Sequence, residues 1–391
     1  MDYVERELRT KLPLYLKTFP VVMIIGPRQC GKSTFVRHEL PDFMHIDLER
    51  PSDFSMVSSD IELFLQEHQR RVCIDEAQRS PALFPALRHA VDRGSGPGRY
   101  VLLGSAGPRL MQTASETLTG RIGILSLTPF TAHELNGVRP WEERWRWGGL
   151  PPIHALETDA QRLAWIESYV MTVLERDLPA LGVRIPAPRL LKFWTMLTHL
   201  QGSLLNVSAL AESMELSTTA VSHYLDVLEG SLMIHRLAPQ FANLRKRLVK
   251  RPKVFIRDSG ILHWLAGLRR SEDSDTWVGK GASFEGLVVE ELMARAHFEL
   301  GAPRFSFFRT QAGAEVDLLV QDGKTFYPIE IKHGAGVGQH DTVGLRHCMA
   351  DLGIAAGYVV TRGDEVRRLG SGITVLPWTQ IASGAISPWR A

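Results

Sequence analysis

The chain has 391 residues, which is more than one ordinary hydrophobic core accommodates, so two or three domains are expected. Hydrophobic residues make up 44% and charged residues 23%, and the near balance of 45 basic and 43 acidic side chains excludes a histone-like or polyanionic protein. Three widely spaced cysteines form neither a disulfide framework nor a metal-ligand pattern, which favours a reducing compartment. Without a signal-peptide pattern or a run of about 18 apolar residues, the sequence predicts a cytoplasmic protein with no membrane partner.

The first block of the chain alternates between short apolar runs and helical patterns. A β-branched run at 21–25 precedes a glycine-containing loop and a helical pattern at 33–40. Further strands are predicted at 44–47, 72–74 and 100–103. This alternation predicts a parallel sheet with helices on both faces. A cluster of glycine and proline at 147–152 suggests that the domain ends near residue 150.

The loop after the first strand has the phosphate-binding pattern G-x-x-x-x-G-K-[ST]. Its residues are Gly26, Pro27, Arg28, Gln29, Cys30, Gly31, Lys32 and Ser33, followed by Thr34. Glycines let the backbone N–H groups converge on phosphate oxygens, while Lys32 reaches the β- and γ-phosphates and Ser33 ligates Mg²⁺. A chance match is the alternative, but the preceding strand and following helix favour an ATP–Mg²⁺ site.

Acidic residues end the predicted third strand. Asp75 is expected to join the magnesium shell, and Glu76 to polarise the attacking water. Ser105 follows the fourth strand, where a polar side chain can sense the γ-phosphate. The alternatives are a solvated acidic strand end for the two carboxylates and a turn serine for Ser105.

Arg121 is a candidate arginine finger that completes the site of a neighbouring subunit. The alternative is an arginine in an ordinary surface salt bridge. If Arg121 is a finger, the protein must form an oligomer to be an efficient ATPase.

The middle block reads as a helix-turn-helix with a wing. The predicted helices are 207–214 and 218–228, separated by a turn at 215–217, and a wing begins within 232–237. The second helix presents Thr219, Ser222 and His223 outward, where such helices contact the DNA major groove. A winged helix that serves protein contacts or domain packing is the alternative.

A basic cluster follows the second helix of this motif. It comprises Arg245, Lys246, Arg247, Lys250, Arg251 and Lys253. Cations at this density neutralise several phosphates, which favours DNA binding with a strong dependence on salt. A solvated loop, or a contact with an acidic neighbouring domain, is the alternative.

The last block combines a long helix at 283–298 with strands. Strands are predicted at 305–309, 315–320, 327–332 and 357–361. Asp317 lies on one of these strands, and Glu330 and Lys332 share a face of another, with Glu285 on the helix. Three carboxylates and a lysine that converge predict a Mg²⁺-dependent nuclease site, with Asp317, Glu330 and Glu285 as metal ligands. A decayed nuclease fold that only grips DNA is the alternative.

The motifs resemble those of bacterial and archaeal AAA-type P-loop ATPases that carry a C-terminal domain of unknown function. The resembling stretches are residues 26–34, 46–49, 75–81, 103–106, 118–121, 147–151, 175–177, 246–253 and 313–332. The resemblance implies an ATPase core, a winged-helix segment and a C-terminal domain that is similar to restriction-endonuclease-like (PD-(D/E)XK) nucleases. Cys30 departs from the pattern, since serine or threonine is commoner there, but its backbone N–H can serve equally well.

Together these observations predict an α/β multidomain protein. The expected domains are a P-loop ATPase domain at 1–150, a helical domain with a winged helix at 151–270, and a restriction-endonuclease-like domain at 271–391. The favoured function is an ATP-driven motor that remodels duplex or branched DNA as a homo-oligomeric ring. We expect this ring to be a hexamer. The alternatives are an ATP-gated Mg²⁺-dependent endonuclease and a signalling or scaffold ATPase with protein partners.

Overall fold

The computed structural model describes residues 2–68, 71–94, 96–105, 108–180, 185–240, 251–311, 313–338 and 340–391. Its contacts divide the chain into two compact units. The first comprises Met1–Phe130, Leu150–Pro152 and Gly230–Leu232, and the second Thr131–Gly149, Ile153–Glu229 and Met233–Ala391. The division into three domains that the sequence suggests stays a prediction.

The first unit is built on a parallel sheet. Its strands are β1 (Val21–Gly26), β2 (Met44–Asp47), β3 (Val72–Asp75), β4 (Tyr100–Ser105) and β5 (Ile122–Ser126). Their order in the sheet is β2-β3-β4-β1-β5, and every pairing is parallel. The predicted parallel sheet is therefore confirmed, with β5 as a strand that the sequence reading did not include.

Helices cover this sheet. They are α1 (Leu12–Thr18), α2 (Lys32–Glu39), α3 (Pro51–Ser59), α4 (Ile61–Glu67), α5 (Leu83–Asp92) and α6 (Pro108–Thr117), with 3₁₀ turns at Glu7–Thr10 and Ala77–Arg79. Every residue of β1 is buried. Since alternate side chains of a strand point to opposite faces, both faces of the sheet are covered, as the continuous apolar run predicts.

Helices dominate the next part of the chain. They are α7 (Trp141–Trp147), α8 (Pro151–His154), α9 (Asp159–Thr172), a π-helical turn at Val173–Asp177, α10 (Leu178–Ala180), α11 (Ala187–Thr198), α12 (Val207–Met214), α13 (Thr218–Gly230) and α14 (Ser259–Leu265). Strands β6 (Ser203–Leu204), β7 (Ile234–Leu237) and β8 (Lys253–Ile256) form a small antiparallel sheet in the order β6-β8-β7.

Both helices of the predicted helix-turn-helix are present in the structure. Helix α12 spans the predicted residues, and α13 runs two residues further than expected. Val221, Leu225 and Leu228 of α13 are buried. Strands β7 and β8 follow α13, which is the order of elements in a winged helix.

The C-terminal part holds a mixed sheet. Its elements are α15 (Ser271–Thr276), α16 (Lys280–Glu299), β9 (Arg304–Arg309), β10 (Glu315–Asp322), β11 (Thr325–Lys332), a 3₁₀ turn at His340–Thr342, α17 (Val343–Leu352), β12 (Gly357–Thr361), β13 (Arg367–Leu369), β14 (Ile373–Pro377) and α18 (Trp378–Ala382). The sheet order is β13-β14-β12-β11-β10-β9. Strands β9, β10 and β11 pair antiparallel, whereas β11, β12 and β14 pair parallel.

An apolar core joins α16 to the mixed sheet. Phe284, Leu287 and Leu292 of α16 are buried in one cluster with Leu318 and Ile329 of the sheet. In the pairing of β10 with β9, the register shifts between Val316 and Leu319. A bulge of this kind can redirect a side chain locally.

None of the helices in the described ranges is long and apolar enough to span a bilayer. Cys30, Cys73 and Cys348 are buried and unpaired, in line with the absence of a disulfide pattern in the sequence.

Candidate functional site

The predicted phosphate-binding loop connects β1 to α2. Gly26 ends β1, and a Cβ atom there would meet the Leu127 carbonyl oxygen at 2.3 Å, so the position excludes every larger residue. Gln29 and Gly31 have positive φ angles of 62° and 94°, which curl the backbone before α2 begins at Lys32. This curl at a helix N-terminus is the geometry that presents backbone N–H groups to phosphate.

The Lys32 ammonium lies inside the loop. The residue is 6% exposed, and Nζ donates to the carbonyl oxygens of Gly26 at 3.0 Å and Pro27 at 2.9 Å. An ammonium has three donors, so one remains for a phosphate oxygen. Among the other predicted loop residues, Pro27 and Cys30 are buried, Arg28 is half-buried, and Gln29 and Thr34 are exposed.

The two predicted magnesium ligands meet beside the loop. Ser33 Oγ donates to Asp75 Oδ2 at 2.5 Å, and Asp75 Oδ1 accepts from the backbone N–H of Glu76 at 2.8 Å. A hydroxyl and a carboxylate supply the oxygen ligands that Mg²⁺ prefers, so this donor set fits the ion.

Glu76 sits in a left-handed turn directly after β3. Its φ angle is 53°, and its carboxylate accepts a hydrogen bond from the Gln78 side chain. Burial raises the pKa of Glu76 above its ordinary value, although the positive charges of Arg28 and Lys32 oppose the shift. A carboxylate with a raised pKa is a stronger base, which suits proton abstraction from water.

Ser105 ends β4 opposite the start of the loop. In the sheet register Ser105 pairs with Gly26. Within the described residues, no group forms a hydrogen bond with the buried Oγ of Ser105 or with the buried Oε1 of Gln78. Buried polar atoms without partners are costly unless a ligand or water satisfies them, so both atoms are candidates for contact with a bound nucleotide.

Arg121 lies near the amino-terminal end of β1, whereas the loop follows the carboxyl-terminal end of that strand. Its carbonyl oxygen accepts from the backbone N–H of Val21, the first residue of β1, whereas the loop follows the last. Five residues of strand place these ends roughly 17 Å apart. The guanidinium makes a bidentate pair with Asp92, with Nε–Oδ1 at 2.6 Å and Nη2–Oδ2 at 3.1 Å. Arg121 therefore cannot serve its own loop, and a role in a neighbouring subunit stays a prediction.

The sequence reading missed Arg6 as a support of the loop. This residue is 3% exposed, and its Nη1 donates to the Cys30 carbonyl oxygen at 2.9 Å while Nη2 donates to the Thr128 carbonyl oxygen at 2.5 Å. Arg6 thus joins the loop to the segment that follows β5. No local motif surrounds Arg6, so only the fold identifies it.

The predicted DNA-contact residues of α13 are at the surface. Thr219 and His223 are exposed, and Ser222 is half-buried. In the basic cluster, Arg245, Lys246, Arg247 and Lys250 lie outside the described residues, and Arg251 is exposed. The prediction for Lys253 is wrong: this side chain is 1% exposed and cannot contact a nucleic acid where it lies.

Lys253 instead lies in the predicted nuclease site. Its Nζ is 2.9 Å from Glu285 Oε1, 2.6 Å from Glu315 Oε1 and 2.9 Å from Asp317 Oδ1. Burial would lower the pKa of Lys253, but the negative charges of Asp317, Glu285 and Glu315 raise it well above its ordinary value. The ammonium is therefore charged at neutral pH.

The remaining members of the predicted set form their own pair. Lys332 Nζ is 2.8 Å from Glu330 Oε1, and Asp317 Oδ2 accepts from the backbone N–H of Ile331 at 2.9 Å. Burial and the charge of Asp317 raise the pKa of Glu330 and of Glu285.

No group of three or more histidine, cysteine or acidic side chains in the described ranges is arranged to hold a metal ion. The expectation of a magnesium site formed by Asp317, Glu330 and Glu285 therefore does not fit the structure. The physical reason is that the ammonium of Lys253 already lies among the carboxylates of Asp317 and Glu285.

Comparison with known proteins finds three family matches along the chain. Residues 18–136 match an AAA domain. Residues 138–272 match a domain of unknown function (DUF8612), and residues 280–381 match another (DUF4143).

Two curated relatives match nearly the whole chain. They are the uncharacterized proteins Mb2031c of Mycobacterium bovis and Rv2008c of Mycobacterium tuberculosis. Each is 38% identical over 380 residues, which cover 96% of this chain and 84% of the relative.

Solved structures are more distant. The Walker-type ATPase PABY2304 of Pyrococcus abyssi is 16% identical with a TM-score of 0.49, over 68% of this chain and 96% of that chain. The signal transduction ATPase PH0952 of Pyrococcus horikoshii, which has a tetratricopeptide repeat sensor, is 10% identical with a TM-score of 0.30, over 76% and 49% of the two chains.

Proposed function

Because the chain belongs to the family of the mycobacterial proteins Mb2031c and Rv2008c and carries an AAA domain, we propose that it hydrolyses ATP at the loop between β1 and α2. The observation that carries the proposal is the contact between Ser33 and Asp75, since it brings a P-loop hydroxyl and a strand-end carboxylate together beside Lys32. Magnesium, when bound by Ser33 and Asp75, neutralises phosphate charge during the reaction.

Each side chain around the loop has its own role in hydrolysis. Lys32 holds the β- and γ-phosphate oxygens, and backbone N–H groups of the loop position them. Glu76 accepts a proton from the water whose oxygen attacks the γ-phosphorus, while the bond to the bridging oxygen breaks and ADP leaves. Ser105, at the end of the neighbouring strand, contacts the γ-phosphate and so distinguishes ATP from ADP.

A direct test compares phosphate release by the full chain with release by the Lys32→Ala variant, both supplied with ATP and Mg²⁺. We expect steady turnover by the wild type and loss of nucleotide binding in the variant. Lys324→Ala, which removes an exposed lysine far along the sequence, serves as a matched control and should leave turnover unchanged. Equal rates for wild type and Lys32→Ala would refute the proposal.

We further propose that hydrolysis drives work on duplex or branched DNA by a homo-oligomeric ring. The supporting observation is the exposure of Thr219 and His223 on α13, the second helix of the helix-turn-helix. Arg251 is exposed, and together with Arg245, Lys246, Arg247 and Lys250 of the sequence it adds charge that favours phosphate contacts.

The experiment for this finer proposal measures ATP turnover with single-stranded, duplex and four-way DNA, together with the size of the oligomer when ATP is bound. The proposal expects stimulation by at least one DNA form, and loss of that stimulation in the Thr219→Glu/His223→Glu variant. If no DNA form changes the rate of ATP turnover, the proposal of DNA-directed work is refuted. No measurable DNA affinity at roughly 50–100 mM salt, where phosphate contacts dominate, would favour a signalling or scaffold ATPase instead.

The endonuclease alternative has less support. Its chemistry requires a divalent metal among Asp317, Glu330 and Glu285, and the ammonium of Lys253 contacts two of these carboxylates directly. A nuclease assay with Mg²⁺ or Mn²⁺ is therefore expected to show no cleavage of single-stranded, duplex or junction DNA by the wild type.

A further inference from the structure

Lys253 brings two parts of the second unit together. It is the first residue of β8 in the small antiparallel sheet. The carboxylates around its ammonium come from α16, which carries Glu285, and from β10, which carries Glu315 and Asp317. One side chain of the small sheet is thus surrounded by acidic groups of the C-terminal α/β part.

The ammonium is almost completely buried, so its charge must be compensated. The side chain is 2% exposed, and three carboxylate oxygens lie within 2.9 Å of Nζ. The second oxygen of Glu315 pairs with Arg309 at 2.7 Å, and the second oxygen of Asp317 accepts from Ile331. The hydrogen bonds therefore fix the orientation of both carboxylates around the cation.

The distances from Lys253 Nζ to the three carboxylate oxygens are close to those between a divalent cation and its oxygen ligands. Distances of 2.6 and 2.9 Å from Nζ are a few tenths of an ångström longer than the roughly 2.3–2.6 Å of calcium–oxygen bonds. Magnesium requires about 2.0–2.1 Å, which would need a larger contraction. The carboxylates are thus placed for one cation of about the size of Ca²⁺ or of an ammonium.

Glu330 adds an independent observation at the same place. It is 8% exposed, and within the described residues its Oε2 has no hydrogen-bond partner although Oε1 pairs with Lys332. Asp317 and Glu330 lie on the paired strands β10 and β11, and the Asp317 carboxylate accepts from the backbone N–H of Ile331, the residue after Glu330. The cluster therefore holds more acidic oxygen than its two lysines satisfy.

We propose that Lys253 is a built-in cation that takes the place of a divalent metal in this carboxylate cluster and joins the small sheet to the C-terminal sheet. The wild-type chain then binds no divalent cation at the cluster. When the ammonium is removed, the three carboxylates repel one another and the cluster becomes a divalent-cation site.

The test compares the wild-type full chain with Lys253→Met, which keeps the length and apolar bulk of the side chain but removes its charge. Ca²⁺ and Mn²⁺ are titrated calorimetrically onto nucleotide-free protein, and thermal unfolding is followed with and without each ion. We expect no binding by wild type and binding by Lys253→Met with a Kd of about 0.1–1 mM, typical of weak carboxylate sites. The ions should raise the Tm of the variant and leave that of the wild type unchanged.

Two matched variants separate this site from others. Lys332→Met retains Lys253 and should gain no cation site, whereas Lys253→Met/Asp317→Asn should lose the gained site. Binding of either ion by Lys332→Met with the same affinity as by Lys253→Met would overturn the assignment to Lys253.

If Lys253→Met does not fold, the proposal can be tested with proteins that retain Lys253. Thermal unfolding of wild type and Asp317→Asn is then followed with and without Ca²⁺. The proposal requires both Tm values to be insensitive to the ion. Stabilisation of the wild type that Asp317→Asn abolishes would show that the native cluster is a metal site, and it would overturn the proposal.

Discussion

Ser33 Oγ and Asp75 Oδ2 lie 2.5 Å apart although 42 positions separate the two residues in the chain. Strands β1 and β3 are not neighbours in the sheet, because β4 lies between them. Their carboxyl ends nevertheless reach the same edge, which is where parallel sheets of this kind bind ligands. The contact links a residue at the start of α2 to the end of a strand, so both must be in place before magnesium can be held.

Ser33→Ala is expected to weaken the dependence of nucleotide binding on magnesium. The substitution removes one proposed ligand oxygen and leaves Lys32 and the loop backbone intact. ATP affinity with Mg²⁺ present should fall by at least about tenfold, whereas affinity measured with EDTA should change little. Ser58→Ala, at an exposed position on α3, is the matched control. Equal losses with and without Mg²⁺ would mean that Ser33 supports the loop rather than the ion.

Glu76→Gln is expected to separate binding from hydrolysis. The amide keeps the size of the side chain but cannot accept the proton of the attacking water. ATP affinity should stay within a few-fold of wild type while kcat falls by about 100-fold or more. Single-turnover phosphate release, measured alongside fluorescent-nucleotide binding, distinguishes the two effects. A Glu76→Gln protein with wild-type kcat would exclude Glu76 as the base.

Arg121→Ala tests whether the chain completes the site of its neighbour. The bidentate pair with Asp92 holds the guanidinium within its own subunit, so a finger must exchange this partner for a phosphate. If it does, Arg121→Ala should lower kcat by about 1,000-fold, and Asp92→Asn, which weakens the competing pair, should not.

Mixing the two defective proteins supplies the control for this prediction. Arg121→Ala and Lys32→Ala subunits together should recover part of the activity, since each repairs what the other lacks. Unchanged turnover in Arg121→Ala would assign the residue to a surface pair with Asp92 alone.

The stability of the second unit should fall in mild acid because two histidines are buried in their neutral form. Burial lowers the pKa of His154 and of His263 to about 4. The unfolded chain takes up protons near pH 6.5 and the folded chain only near pH 4, so stability is lost as pH falls across this interval. Each histidine contributes up to roughly 3 kcal/mol to the loss.

Urea unfolding at several pH values checks this prediction. Glu291 acts in the opposite sense, since burial raises its pKa to about 7 and its contribution is lost as pH rises through that value. The comparison is therefore made between wild type and His263→Gln, whose amide can still hydrogen-bond to Ser283. The variant should lose less stability than wild type between about pH 6.5 and pH 4. Parallel pH profiles would contradict the assignment.

Much of the first unit is predictable from sequence because its signals are local. The apolar run at 21–25, the glycines of the loop and the acidic end of β3 each report on their own surroundings. Asp75 and Ser33 could be paired in advance, since the motif fixes both. Gln78 and Arg6 could not, because their contacts depend on how β4 and the segment after β5 are positioned.

The surroundings of Lys253 could not be predicted from its neighbours in the sequence. It follows several cations in the sequence, and charge density alone assigns it to the same exposed cluster. Yet it begins the apolar strand β8, in which all four residues are buried. That position, rather than the neighbouring charges, determines its surroundings, and the acidic partners are up to 64 residues away.

The position of Arg6 bears on how fragments of this protein should be cut. The match to the AAA domain covers residues 18–136, and a fragment trimmed to those limits would keep the entire glycine loop. It would lack Arg6, whose guanidinium donates to the carbonyl oxygens of Cys30 and Thr128 and so supports the phosphate-binding loop. Nucleotide affinities from such a minimal fragment would therefore underestimate those of the intact chain, and the shortfall would be mistaken for a weak motif.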